Sequence, residues 1–203
     1  MPSPARSLVK KALVLEYVSI VWNILEGTIA IIAGAAAGSI ALVGFGLDSL
    51  IEVIAAVTLV WRLRKWQAGT PLEESEAEQR ARRIVGATFL VLAMYVAYES
   101  VKCLWLKEAP GASIIGMALT ILASMVMPGL GLAKRHIAVK VESEALAAEA
   151  VESFVCGALS IVTLVGLGLN ALWGLWWADP VVGILIAGFL IKEGLQTWQD
   201  EHD

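Results

Sequence analysis

Apolar residues fall in six long runs, at roughly 13–36, 39–61, 84–106, 112–133, 146–172 and 179–197, and charged residues gather mostly between them. Each run reaches or approaches the ~20 residues that a helix needs to cross the hydrocarbon core of a bilayer. The pattern predicts an all-α membrane protein, a single domain of six transmembrane helices over 1–203. Only "AAAGSI" separates the first two runs, so they form a tight helical hairpin. Its Gly34 and Gly38 make a small-xxx-small pair suited to close helix packing. Between the second and third runs lies the polar "RLRKWQAGTPLEESEAEQRARR". There Thr70, Pro71, Glu73 and Glu74 read as a helix start, with the third helix beginning in water and meeting the bilayer near Ile84. Pro110 and Gly111 in "KEAPGAS" mark a turn. "GLAKRHIAVKVESEA" and "WGLWWADP" are the remaining links, the latter with Trp173, Trp176 and Trp177 as interfacial anchors.

Composition agrees. The chain is 58% hydrophobic and 17% charged, with a mean hydropathy of +0.75, whereas a soluble domain carries about 25% charged residues. A net charge of −4 and the lack of any Lys/Arg block exclude a nucleic-acid role. Cys103 and Cys156 lie in different apolar runs and make no disulfide framework of the secreted kind. The first run has a basic flank, but it exceeds the about 7–15 residues of a signal-peptide core and contains Asn23 and Glu26, so it reads as a retained span. Of the fifteen Lys and Arg, thirteen fall on one side of the six spans; Lys102 and Lys107 are the exceptions. Positive charge marks the cytoplasmic side, which places both termini in the cytoplasm of a plasma or inner membrane.

Against this background the second run contains "GLDSLIEV". An acid at mid-bilayer costs about 2.5–3.5 kcal/mol on insertion scales, yet Asp48 and Glu52 stand one helical turn apart on one face. The fifth run repeats the arrangement in "EAVESFVC": Glu152 and Cys156 have the same spacing, and a serine follows the first member of each pair. Their separations from Arg62 and Lys140 place the pairs at similar depth. Two facing pairs of ligating type make a four-coordinate site from two helices. The thiol tilts it toward zinc and similar borderline metals, while three carboxylates pull toward harder ions; manganese, iron, cobalt and cadmium stay open. Asn23 and Glu26, three apart on the first span, line a path or orient the ligands. Glu149, one turn before Glu152, is an entrance residue. Glu99 serves the pathway or pairs locally with Lys102 or Cys103.

"GLDSLIEV", "EAVESFVC" and the "WWADPVVGILIA" of the sixth run together resemble the cation diffusion facilitator family of metal/proton antiporters, over roughly residues 10–198. The nearer likeness is to its short branch of transmembrane zinc-efflux proteins. That family's site uses two acids one turn apart on the second span, matching Asp48 and Glu52. On the fifth span it uses a His and an Asp, where this chain has Glu152 and Cys156. The resemblance implies proton-coupled efflux of a divalent cation by alternating access. It also implies that dimerisation, if any, runs through the membrane helices, because the family's C-terminal cytoplasmic domain and loop histidines have no counterpart here. The rival readings are a cation channel lined by acids and a non-transporting membrane scaffold. An enzyme is disfavoured: there is no HExxH, and His136 and His202 lie in or near cytoplasmic segments.

Overall fold

Backbone amides in lipid have no water to bond, so an apolar run that crosses it must satisfy them within itself, as helix. The computed structural model describes residues 3–67, 76–108, 110–141 and 143–199. Among them it holds α1 (Ser3–Ala37), α2 (Ile40–Gln67), α3 (Glu76–Leu106), α4 (Ile114–Val141), α5 (Glu144–Trp173) and α6 (Ala178–Gln199), and no strand. Five of these, α1 to α5, are long and apolar enough to cross a membrane. The 22-residue α6 carries Asp179 in its first turn and Lys192 toward its end.

Local chemistry sets the breaks. Gly38 adopts φ +69 between α1 and α2, a left-handed conformation that glycine enters without a Cβ penalty. It is therefore the turn residue and packs against nothing. Gly34 alone fulfils the packing role expected of the pair: a Cβ there would stand 2.9 Å from the Val43 backbone nitrogen. Ser143 caps α5 by accepting from Leu146 N–H at 3.3 Å. Gly174 ends that helix at φ 65, its N–H reaching Asn170 O. The expected start of the third helix at Thr70–Glu74 lies outside the described residues.

One expected link is itself largely helical. "GLAKRHIAVKVESEA" is helix on both sides, and only residues 142 and 143 separate α4 from α5. The reason is periodicity. Gly131, Lys134, Ile137 and Ala138 are buried at helical spacing, whereas Arg135, His136, Val139 and Lys140 are exposed. The polar link continues an amphipathic helix, and Lys134, counted as a flanking cation, lies inside the bundle.

The helices pack as close pairs, α1 with α2, α4 with α5 and α3 with α6. The first two pairs join through α1–α4 and α2–α5, and the α3–α6 pair lies along α2 and α5. Pro128 lies inside α4 opposite Gly157 of α5, where a Cβ would fall 2.8 Å from the proline ring. One core contains Leu42, Phe45, Val96, Met127 and Ile186. A second, toward the end of the bundle that holds the N-terminus, contains Val9, Leu13, Leu63, Ile137 and Leu146. Outward faces carry Val14, Val21, Ile32, Met94, Met125, Val165 and Leu172, all exposed. Apolar residues outside and Glu16, Asn23, Glu26, Asp48, Lys134 and Glu149 inside form the inverse of a soluble surface, as lipid requires.

Candidate functional site

The site begins at a close approach of α1 and α2. A Cβ on Gly27 would meet Gly46 O at 2.8 Å, and one on Gly46 would meet Ala30 Cβ at 2.8 Å. With the backbones this near, the polar stripe of α1 lies directly on the acid pair of α2. Asn23 Nδ2 donates to Glu52 Oε2 at 2.9 Å. Glu26, 1% exposed, faces the same pair, within electrostatic reach of Asp48. Both of its carboxylate oxygens are buried, and the Trp22 indole N–H, one turn earlier, is buried near them without closing a hydrogen bond.

Across from α2, α5 brings up the second pair. Asp48, Glu52 and Glu152 line one cavity of about 40 Å³, with Val151 and Val155 of α5, Phe89 of α3 and Phe189 of α6. That is ample for a water molecule or a bare metal ion. Cys156 is fully buried beside Glu52. The two pairs predicted from their matching spacing therefore come together, and the α3–α6 pair supplies the aromatic wall. Among the described residues, no three His, Cys, Asp or Glu side chains are drawn tightly enough around one point to form a ligand set as they stand. The serine in each pair bonds back along its own helix: Ser49 donates to Phe45 O at 3.1 Å and Ser153 to Glu149 O at 3.0 Å.

The remaining expected residues separate. Glu99 accepts from Lys102 at 3.0 Å within α3. Cys103 instead donates its thiol to Glu108 O at 3.1 Å. Glu149 is held by Lys134, whose ammonium stands 3.1 Å from Glu149 Oε2 and 3.2 Å from Glu16 Oε2. Neither Glu16 nor the burial of Lys134 was foreseen, although Glu16 falls seven residues before Asn23 on the same helical face.

Asp179, in the "WWADPVVGILIA" motif, has a structural role. Its Oδ2 accepts from Ile40 N–H at 2.9 Å and Ala41 N–H at 3.4 Å, and its Oδ1 accepts from the Ser39 hydroxyl. It caps α2 from α6, which explains an acid at that place in the motif.

Residues 17–200 match the family described as the cation efflux transmembrane domain. The chain is 30% identical over 190 residues to an uncharacterized transporter of Methanocaldococcus jannaschii, covering 91% of this chain and 65% of that one. It is 23% identical over 202 residues to Transmembrane protein 163 of Xenopus laevis, covering 98% and 70%. An all-helical bundle with acids from two helices around an interior cavity suits cation passage, and the match over nearly the whole chain is decisive: the protein belongs to the cation efflux transmembrane domain family, integral membrane transporters of divalent cations rather than enzymes.

Proposed function

We propose that the protein exports a divalent transition-metal cation, zinc foremost, in exchange for protons, by alternating access to Asp48, Glu52, Glu152 and Cys156. The observation that carries this reading is the shared cavity: three carboxylates from α2 and α5 open onto one small space, with a thiol against one of them. The set combines hard and soft donors, which suits zinc and its neighbours over magnesium or calcium. Carboxylates bind a metal only when deprotonated, so cation and protons compete for the same oxygens, and exchange follows from that competition. Asn23 fixes one oxygen of Glu52 and so orients it for the cation. Glu26 adds a further carboxyl group near Asp48. Glu99, tied to Lys102, is structural.

Phe89 and Phe189 place the α3–α6 pair across the cavity mouth. Access alternates as that pair shifts against α2 and α5. The side rich in Lys and Arg is the cytoplasmic one, with both termini on it. The test is metal uptake by proteoliposomes under a pH gradient. Asp48→Ala and Glu152→Ala should each abolish transport while eluting as folded protein; parental rates in both would remove the site assignment.

A further inference from the structure

A second cluster of charge lies outside the cavity. Lys134 of α4 is 1% exposed, and its ammonium lies between Glu16 of α1, 0% exposed, and Glu149 of α5. One cation thus serves two buried carboxylates, and Glu16 Oε1 has no hydrogen-bond partner. A buried ion pair is weak ground for stability, because desolvating its members offsets most of their attraction. Its position is more telling. Glu149 stands one turn from Glu152 on the same face of α5, and Glu52 lies within electrostatic reach of both. Glu149 does not line the cavity, but it stands between the buried Lys134 ammonium and the cavity acids.

We propose that Lys134 is a tethered counter-cation that competes with the transported cation for Glu149. With the cavity unfilled, the ammonium is shared between Glu149 and Glu16. With a divalent cation among the cavity acids, Glu149 turns toward it and Lys134 is left to Glu16. When the cation departs, Lys134 takes Glu149 back, which keeps the site from holding its cargo too tightly. Glu16 sets the strength of this competition, because it offers Lys134 an alternative partner. Lys134 and Glu16 are thus positioning residues, acting on the substrate through Glu149. The inference rests on the reading of Asp48, Glu52, Glu152 and Cys156 as the substrate site.

The experiment is calorimetric titration of the full chain in lipid nanodiscs with zinc ion. Lys134→Gln should bind zinc more tightly, by roughly tenfold, within the range usual for coupled sites. Glu16→Gln, which leaves the ammonium to Glu149 alone, should bind it more weakly. Glu149→Gln should remove the effect of Lys134, so that Lys134→Gln/Glu149→Gln binds as Glu149→Gln does. A merely structural triad predicts no tighter binding in any variant. Simple loss of a nearby positive charge predicts that tightening persists without Glu149. Either result overturns the proposal. If Lys134→Gln does not fold, Glu16→Gln decides it, since unchanged or tighter zinc binding there is incompatible with competition. The site reading fails separately, if Asp48→Ala or Glu152→Ala leaves zinc binding intact.

Discussion

Asp179→Ala should loosen the bundle more than its position at a helix start suggests. The carboxylate is fully buried and closes the N-terminus of a different helix. The first four N–H groups of any helix lack intrahelical partners, and Asp179 accepts from two of those of α2, one short and one long, as well as from Ser39. Losing a cap costs about 0.5–2 kcal/mol, and a hydrogen bond to a charged group contributes about 1.5–3 kcal/mol. The firm bond to Ile40 and that to Ser39 share one carboxylate and do not add fully, so about 3 kcal/mol is the reasonable sum. That is roughly a hundredfold in the unfolding equilibrium. Asp179→Asn keeps an acceptor for Ile40 and loses the charge at the helix dipole, so it should cost about a third as much, near 1 kcal/mol. Unfolding by SDS in mixed micelles, followed by tryptophan fluorescence, would measure both. A midpoint for Asp179→Ala equal to the parent's, or equal to that of Asp179→Asn, would refute the capping account.

Two further outcomes follow from the cavity. Asn23→Ala removes the donor to Glu52 and should raise the KM for zinc transport by roughly tenfold, the equivalent of one charge-assisted contact, with little change in kcat. Cys156→Ser replaces the thiol beside the acids and should shift competition binding from cadmium toward manganese, again by roughly tenfold; an unchanged cadmium-to-manganese ratio would take Cys156 out of the ligand set.

The periodicity of the apolar runs carried the all-helical class, because backbone in lipid has few alternatives to helix. The acid pairs were legible for a related reason: apolar surroundings make every ionisable residue conspicuous. The same contrast failed at the ends of the runs. Lys134 lay among other cations, where charge reads as loop, and only its spacing from Gly131, Ile137 and Ala138 revealed a buried face. Glu16 was hidden similarly, near the basic N-terminus, though Ser19, Asn23, Glu26 and Ala30 continue its buried stripe. Gly38 was misread because small residues serve both turns and packing, and only the backbone conformation distinguishes them. Asp179 could not be assigned from spacing at all, since its partners are about 140 residues away in sequence and no local pattern encodes a cap borrowed from another helix.

Depth along the helices ties the two charged clusters into one system. Glu52 is 12 residues from the start of α2 and Asn23 is 14 from the end of α1, about 18 and 21 Å at the helical rise. They lie level across the turn at Gly38, as their hydrogen bond requires. Glu26 and Asp48 lie nearer that turn, and Glu16 lies about 15 Å farther from it than Glu26 does. Acids thus line the interior from the α1–α2 side toward the other end, and there Lys134 is shared by the last two. A carrier must bind its cargo firmly enough to admit it and loosely enough to release it. A row of carboxylates alone meets the first condition and fails the second. On the competition proposed above, a lysine fixed at one end of the row meets the second, because its ammonium takes Glu149 back as the cation leaves.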